Sequence, residues 1–498
     1  MLVFSTYLKK ETMKEVKQFL SSQIKSMCLL FAIVVGGFWT LSSCSPPCDE
    51  GNYLGTVEEC SVTADATSDG GSTGGSSGGS SGGSSGGSTG GSSGGSSSSS
   101  SNLTPRNRLA SSYYFSQYIL DNGSVVEWGA TNSGTVEDYY TVDNLTNAIA
   151  VSGYGQSVSD GVHTCAIKAD KTAVCWGDNR YGQLGDNTTT DCGTTASATS
   201  AATACATPIF DDPTAQGNLK FVEAGKHFTL WLDNNGKVYV HGRCDSGRLG
   251  LSCSSTDVLT ATTVMTDVKD IQANAGIPLW CAHKNDNSLW CTGTNANDII
   301  IDSSSTTISV PTQIATNVAH FGMNEISVGI VYDNNSVHCT SNFPDLGGSY
   351  YYCNNVVTTT NVKQVVGVYR SMMFVLDNGS AWTYGHASNG SFAAGNGNTN
   401  NFGWNTVDNT TTHLYSVNAD GTLMTNLDYV TTGGSGAFGI LDNGTLVGVG
   451  GNNKYERVPK NQMSNTQCAW NGTVGAVTQA SQTCDRWMTM PIQKDGWQ

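Results

Sequence analysis

One pattern recurs seven times along this 498-residue chain and limits what it can fold into: an apolar strand, a bend carrying Asp or Asn, a second apolar strand and, in most copies, a closing glycine. The copies are YILDNGSVVEWG (118–129), CAIKADKTAVCWG (165–177), LWLDNNGKVYVHG (230–242), CAHKNDNSLWCTG (281–293), GIVYDNNSVHCTS (329–341), MFVLDNGSAWTYG (373–385) and FGILDNGTLVGVG (438–450). Aligned on the last residue, they place Asn122, Asp170, Asn235, Asp286, Asn334, Asn378 and Asn443 at the bend, in steps of 48, 65, 51, 48, 44 and 65 residues. Asn and Asp tolerate the left-handed backbone of a tight hairpin, and Gly often follows for the same reason. The flanks alternate or run apolar at strand length, and no 3.6-residue period appears between copies. Each unit therefore reads as a β-hairpin with further strand material, about 50 residues per repeat. A lone hairpin is marginal in water. Seven can bury their faces by packing in a ring, which also leaves few open sheet edges. The fold class predicted is all-β, a seven-bladed β-propeller over 102–498 with a C-terminal tail. An open β-solenoid is the alternative, although its repeats are usually shorter.

Ahead of the repeats the sequence reads as an export signal and a tether. Lys14, Lys17 and Lys25 precede an apolar run from Cys28 to Leu41, too short for an ordinary membrane span and suited to a signal h-region. The run ends in Leu41-Ser42-Ser43-Cys44, which resembles a bacterial lipobox, so 1–43 is expected to be a lipoprotein-type signal peptide and Cys44 the lipidated first residue of the segment 44–69. Residues 70–101 are GGSS/GGST repeats ending in polyserine, which bury no apolar surface and predict a flexible coil. Such a coil averages about 31 Å end to end. Gly74-Gly75-Ser76-Ser77-Gly78 matches a G-x-S-x-G nucleophile motif only formally, since no strand precedes it and no helix follows.

The net charge is −16, and the signal region carries five lysines and two glutamates, leaving −19 beyond it. With no Lys/Arg cluster, such a chain repels phosphate backbones, and nucleic acid is not an expected partner. Export implies an oxidising compartment that favours disulfides. Apart from Cys28 and Cys44, fourteen cysteines remain, falling into close neighbours: Cys48/Cys60, Cys165/Cys175, Cys192/Cys205, Cys244/Cys253, Cys281/Cys291, Cys339/Cys353 and Cys468/Cys484. Chain order does not prove connectivity, but the even count and short gaps suggest seven local bridges, and no C-x-x-C supports a zinc ribbon or thioredoxin-like centre.

The stretch SDGVHTCAIKADKTAVCWGDNRYGQLG (159–185) resembles the repeat of the regulator of chromosome condensation family, as does, partly, AGKHFTLWLDNNGKVYVHGRCDSGRLG (224–250). The resemblance extends over about 105–455 and implies a seven-bladed propeller of four-stranded blades. The chain departs from it at the family histidine, whose places hold Phe115, His163, Phe228, Leu279, Ser327, Ser371 and Gly436, and at the closing Trp-Gly, kept only at Trp128 and Trp176. In this frame Cys165 and Cys175 flank the bend at Asp170 symmetrically, at the separation of antiparallel neighbours, and Cys281 and Cys291 repeat the arrangement about Asp286. Cys339 faces Gly329 and must pair elsewhere, with Cys353 nearest.

No compact catalytic motif, metal-ligand spacing or cofactor motif stands out, so no cofactor is expected and His163 is read as a hydrogen-bonding residue within its blade. Two insertions, 186–217 and 386–427, account for the long steps, and the aromatics Phe392, Phe402, Trp404 and Tyr415 of the second are candidate contact residues. The expected function is a non-catalytic, monomeric envelope lipoprotein at the bacterial outer membrane. It touches the membrane only through its lipid and binds a protein or a surface glycan. A propeller enzyme acting on glycans is the alternative, and guanine-nucleotide exchange the least favoured.

Overall fold

A computed structural model of the chain describes residues 103–112, 115–131, 134–155, 161–193, 202–253, 256–274, 276–301, 305–324, 327–340, 361–368, 371–385, 414–415, 423–433, 436–451, 468–470, 473–475, 483–490, 492–493 and 495–497. All belong to one compact unit, Ser92–Gln498. Among the described residues, one helical turn, α1 (Pro105–Arg108), is followed by strands, their connections and two 3-10 turns.

Among the described residues, seven antiparallel sheets of three or four strands follow one another along the chain, with two two-stranded hairpins near residues 468–475 and 492–497. Blade 1 holds β1 (Leu109–Ser111), β2 (Phe115–Ile119), β3 (Val125–Thr131) and β4 (Gly134–Thr141). Blade 2 holds β5 (Ala148–Tyr154), β6 (His163–Lys168) and β7 (Ala173–Gly177). Blade 3 is β8 (Leu219–Gly225), β9 (Phe228–Asp233), β10 (Val238–Gly242) and β11 (Val258–Met265), and blade 4 is β12 (Val268–Ala273), β13 (Leu279–Lys284), β14 (Leu289–Thr294) and β15 (Thr307–Ala315). Blade 5 is β16 (Val318–Met323), β17 (Val328–Tyr332) and β18 (Val337–Cys339), and blade 6 is β19 (Val362–Val368), β20 (Ser371–Leu376), β21 (Ala381–Gly385) and β22 (Leu414–Tyr415). Blade 7 is β23 (Leu427–Thr432), β24 (Gly436–Leu441), β25 (Leu446–Gly451) and, after the hairpin β26 (Cys468–Trp470) and β27 (Thr473–Gly475), its outer strand β28 (Thr483–Thr489).

The sheets close into a ring because each buries one face on its predecessor and the other on its successor. Ile119, Val125, Ala166 and Trp176 join blades 1 and 2. Cys165, Cys175, Trp231 and Tyr239 join blades 2 and 3. Equivalent clusters join 3 to 4, 4 to 5, 5 to 6 and 6 to 7. The last, with Tyr118, Val126, Trp128 and Tyr139 against Phe438, Ile440 and Leu446, joins blade 7 back to blade 1. Trp128 meets Phe438 edge-on, their ring centroids 5.8 Å apart. Among the described residues, blades 1 and 7 are each continuous in sequence and exchange no strand, so closure rests on side-chain packing.

The repeated bends are three-residue hairpin loops with a division of labour. The residue in the left-handed region is the one after the aligned Asp or Asn: Gly123, Lys171, Gly236, Asn287, Asn335, Gly379 and Gly444, with φ between 62° and 83°. The Asp or Asn itself works through its side chain, whose Oδ1 accepts the backbone N–H two residues on from Asn122, Asp170, Asp286, Asn334, Asn378 and Asn443. In blade 3 the acceptor is instead Asp233, which takes N–H bonds from Asn235 and Lys237 at 2.9 and 2.8 Å.

A second repeated residue lies just before the inner strand of six blades: Asn147, Asn218, Asp267, Asn317, Asn361 and Asn426. Its carbonyl accepts an N–H from its own blade's bend, as in Asn285 N–H to Asp267 O at 2.8 Å. The bend's left-handed residue in turn accepts from the first residue of the next inner strand, as in Val268 N–H to Gly236 O and Leu427 N–H to Gly379 O. The bends therefore tie blades 1 to 2, 2 to 3, 3 to 4, 4 to 5 and 6 to 7 as well as reversing the chain.

Cys165 faces Cys175 and Cys281 faces Cys291 in register, and both pairs form disulfides with Cα atoms 4.1 Å apart. Disulfides also join Cys192 to Cys205 and Cys244 to Cys253. Cys339, opposite Gly329, is disulfide-bonded too, and Cys353 lies outside the described residues. This density of bridges is that of a protein held in an oxidising compartment. The first insertion is folded down rather than free. Cys192 and Ala206 pair with Gly177 and Cys175 along the outer edge of blade 2, Thr203 reaches Asp143, and Phe210 pairs with Ala261 of blade 3.

Candidate functional site

The inner strands β1, β5, β8, β12, β16, β19 and β23 surround an axial channel. Side chains lock neighbouring inner strands together. Ser112 Oγ accepts from Gly155 N–H at 2.7 Å, and Ser152 Oγ from Ala224 N–H at 2.9 Å. Asn274 donates to Asn324 O at 2.6 Å, and Gln364 both donates to and accepts from Val430 at 2.7 and 3.0 Å. A Cβ at Gly322 would run into Val365 O and one at Gly367 into Met323 O, so these backbones approach more closely than a side chain permits. The channel's amides are thus committed to scaffolding.

What remains for chemistry is a charged set around a cavity of about 310 Å³, lined by residues that include Arg106, Glu223, Asp270, His283, Lys363 and Asp428. Arg106 comes from α1 and the rest from strands of blades 3, 4, 6 and 7. Its guanidinium pairs with Asp270 and, at 3.6 Å, with Glu223. Burial works against the charge on Arg106, but the two carboxylates outweigh it and raise its pKa. Burial pushes Glu223 up to about 7, against the opposing pull of Arg106. Lys363 pairs with Asp428 at 3.4 Å.

Two buried histidines away from this cavity, His163 and His241, belong to the scaffold. His163 crosses to blade 3, its Nε2 lying 3.1 Å from Thr229 Oγ1 and 3.3 Å from Phe228 O, so the bond expected within blade 2 is a bond between blades. Burial, then neighbouring His227 and His241, lowers its pKa to about 3 and keeps the ring neutral. His241 accepts from the Trp231 indole at 2.9 Å and is held near pKa 4, chiefly by burial. Among the described residues, no cluster of three or more His, Cys, Asp or Glu is arranged to hold a metal ion.

The two rims of the ring differ. In an up-and-down blade the second-to-third connections and the passages to the next blade lie on one rim, which here carries the tied hairpin bends. The other rim takes the first-to-second connections and those from the third strand to the outer edge. These last include 243–257, 295–306 and the start of 178–201, while 386–413 and most of 452–482 lie outside the described residues. Tyr415 forms part of β22, paired through its backbone with Trp382. Phe392, Phe402 and Trp404, Cys44, expected from sequence to be lipidated, Cys48 and Cys60, expected to pair, and the linker 70–101 lie outside the described residues, as do the side chains of Cys468 and Cys484. Arg106 and the channel acids were not among the residues singled out from sequence.

Residues 162–183 match the model of the Regulator of chromosome condensation (RCC1) repeat. No curated protein matches. Human WBSCR16 aligns in three dimensions with a TM-score of 0.49 at 16% identity, over 67% of this chain and 87% of that one. Prp20p of Saccharomyces cerevisiae gives 0.47 at 14% identity, over 66% and 81%. The CRINKLY WD40 ectodomain of the Arabidopsis thaliana receptor kinase ACR4 gives 0.29 at 14% identity, over 60% and 93%. The matched repeat falls on β6, β7 and the loop that follows, so the chain carries an RCC1-type repeat within the second of its seven sheets.

Proposed function

We propose that this protein is a non-catalytic binding head, exported and tethered to the bacterial outer membrane through a lipid at Cys44, which engages another protein through the rim that bears its long connections. The observation that carries this reading is the asymmetry of the rims. The bends on one rim are short and stitched blade to blade, whereas the other rim presents extended connections on a rigid frame, the arrangement in which loops serve recognition. A surface glycan is the other ligand class such loops accommodate. The acidic balance of the chain favours a partner with basic surface.

The full-length chain is the bait for this test. Partners captured from envelope extracts are cross-linked through lysines and mapped by mass spectrometry. Links are expected at Lys226, which lies between β8 and β9 on the long-connection rim, and at Lys454 and Lys460 in the connection 452–482. Links confined to Lys171 and Lys237, on the bends, would place the partner on the wrong rim. Membrane retention of Cys44→Ala would remove the anchor from the proposal.

A further inference from the structure

Arg106 sits in a built receptor rather than in a simple ion pair. Its guanidinium carbon lies 4.2 Å from the centroid of the Phe221 ring. One nitrogen donates to the Ile271 carbonyl at 2.6 Å, and the fork pairs with Asp270 of blade 4 and Glu223 of blade 3. An aromatic face, a carbonyl and two carboxylates in a fork arrangement suit a planar, multidentate cation. An ammonium offers neither the plane nor the fork.

The segment that delivers this group is one helical turn, flanked by Leu103, which packs against the core between blades 1 and 2, and by Leu109, buried where blades 7 and 1 meet. The residues of α1 are half-buried, and the sequence at 70–101 contains no apolar side chain. A polar anchor is two residues further on, where Arg108 donates to Ile119 O at 2.7 Å and pairs with Asp121. Beside the cradle the cavity continues towards Lys363 and Asp428, leaving room for the stem of an incoming side chain.

We propose that Phe221, Glu223, Asp270 and the Ile271 carbonyl form a guanidinium-binding site occupied in cis by Arg106, and that the arginine side chain of a partner peptide is the ligand it accepts when the N-terminal arm withdraws. The arm is then a resident competitor. The site lies on the channel axis, so it stands or falls separately from recognition by the long-connection rim.

The test uses the full-length chain with Arg106→Ala, which empties the cradle. N-acetyl-arginine-N-methylamide is titrated against it and followed by thermal shift and ligand-observed NMR, with N-acetyl-lysine-N-methylamide as control. The expected result is saturable binding of the arginine compound, little response to the lysine compound, and loss of binding when Asp270→Asn is added. The unmodified chain binds more weakly by the factor with which the arm is seated, about tenfold or more. Equal responses to the two compounds, or a response indifferent to Asp270→Asn, overturns the assignment. Should Arg106→Ala fail to fold, amide exchange over 103–112 in the unmodified chain gives the answer. Exchange that quickens as the arginine compound is added supports displacement of the arm, and unchanged exchange at saturating excess refutes it.

Discussion

The four described disulfides with both partners resolved are predicted to fall in two kinetic classes on reduction. Each closes a short loop, with sequence separations of 10, 13, 9 and 10 residues. Loop-closure entropy at these lengths gives about 2.5–3 kcal/mol of stabilisation per bridge, so losing one costs a large part of a domain's usual margin. Accessibility separates them. Cys165, Cys175, Cys281 and Cys291 are fully buried at blade interfaces, whereas Cys205 is exposed and Cys192 and Cys253 are half-buried. A thiolate must reach the sulfur to exchange with it. Cys192–Cys205 and Cys244–Cys253 should therefore open in the native state, and the cross-strand pairs only when their blades open. The assay is mild dithiothreitol treatment in native buffer, timed alkylation and peptide mass spectrometry. The expected order is 192–205 and 244–253 first, with 165–175 and 281–291 appearing in step with loss of near-UV circular dichroism. Equal rates for all four, or early reduction of 165–175 in a still-native ring, would refute the burial argument.

Acidification should destabilise the ring. His163 and His241 stay neutral when folded, held at about 3 and about 4, but titrate near the ordinary histidine value when unfolded. Their stabilisation is complete above that value and is lost as pH falls towards the folded pKa, about 2 kcal/mol each between pH 7 and 5. Glu223, raised to about 7, keeps in the folded state a proton that the unfolded chain releases down to the ordinary glutamate value. It therefore gains stability over much of the same window and offsets roughly one histidine. Urea unfolding should show a net loss of about 2 kcal/mol at pH 5 relative to pH 7, and a rise on acidification would contradict the buried neutral rings. At the blade 3 bend, Asp233→Ala should cost about 1–3 kcal/mol by stranding two N–H groups and the Tyr239 hydroxyl. Asn235→Ala should stay within about 0.5 kcal/mol. Equal costs would return the capping role to Asn235.

The seven hairpins were legible because a bend needs an Oδ1 acceptor and a left-handed residue, and both leave marks in sequence. The division between them was not, since Lys171, Asn287 and Asn335 take the left-handed place without being Gly. The motif before the inner strands, as in Thr146-Asn147-Ala148 and Thr316-Asn317-Val318, is equally present but carries no mark of its role, because a carbonyl acceptor requires no particular side chain. The candidate site follows from it. Three residues past that Asn or Asp stand Phe221, Asp270, His320, Gln364 and Tyr429, all at the channel or its cradle, which alternation on the inner strands would have placed on one face. Arg106 lies outside the repeat altogether, and only the folded arm brings it to Glu223 and Asp270. Length and composition gave no sign that the first insertion packs down, yet Ala202, Ala204, Ala206, Phe210 and Ala215 are buried against blades 1, 2 and 3.

Closure of the ring between its first and last blades is what every other statement presupposes, and a double-mutant cycle of Trp128→Ala and Phe438→Ala measures it. The two residues lie in opposite ends of the sequence and meet edge-to-face with centroids 5.8 Å apart. Equilibrium urea unfolding should give a coupling energy of about 0.5–1.5 kcal/mol between them. Strictly additive losses would mean that blades 1 and 7 do not touch and the ring is open.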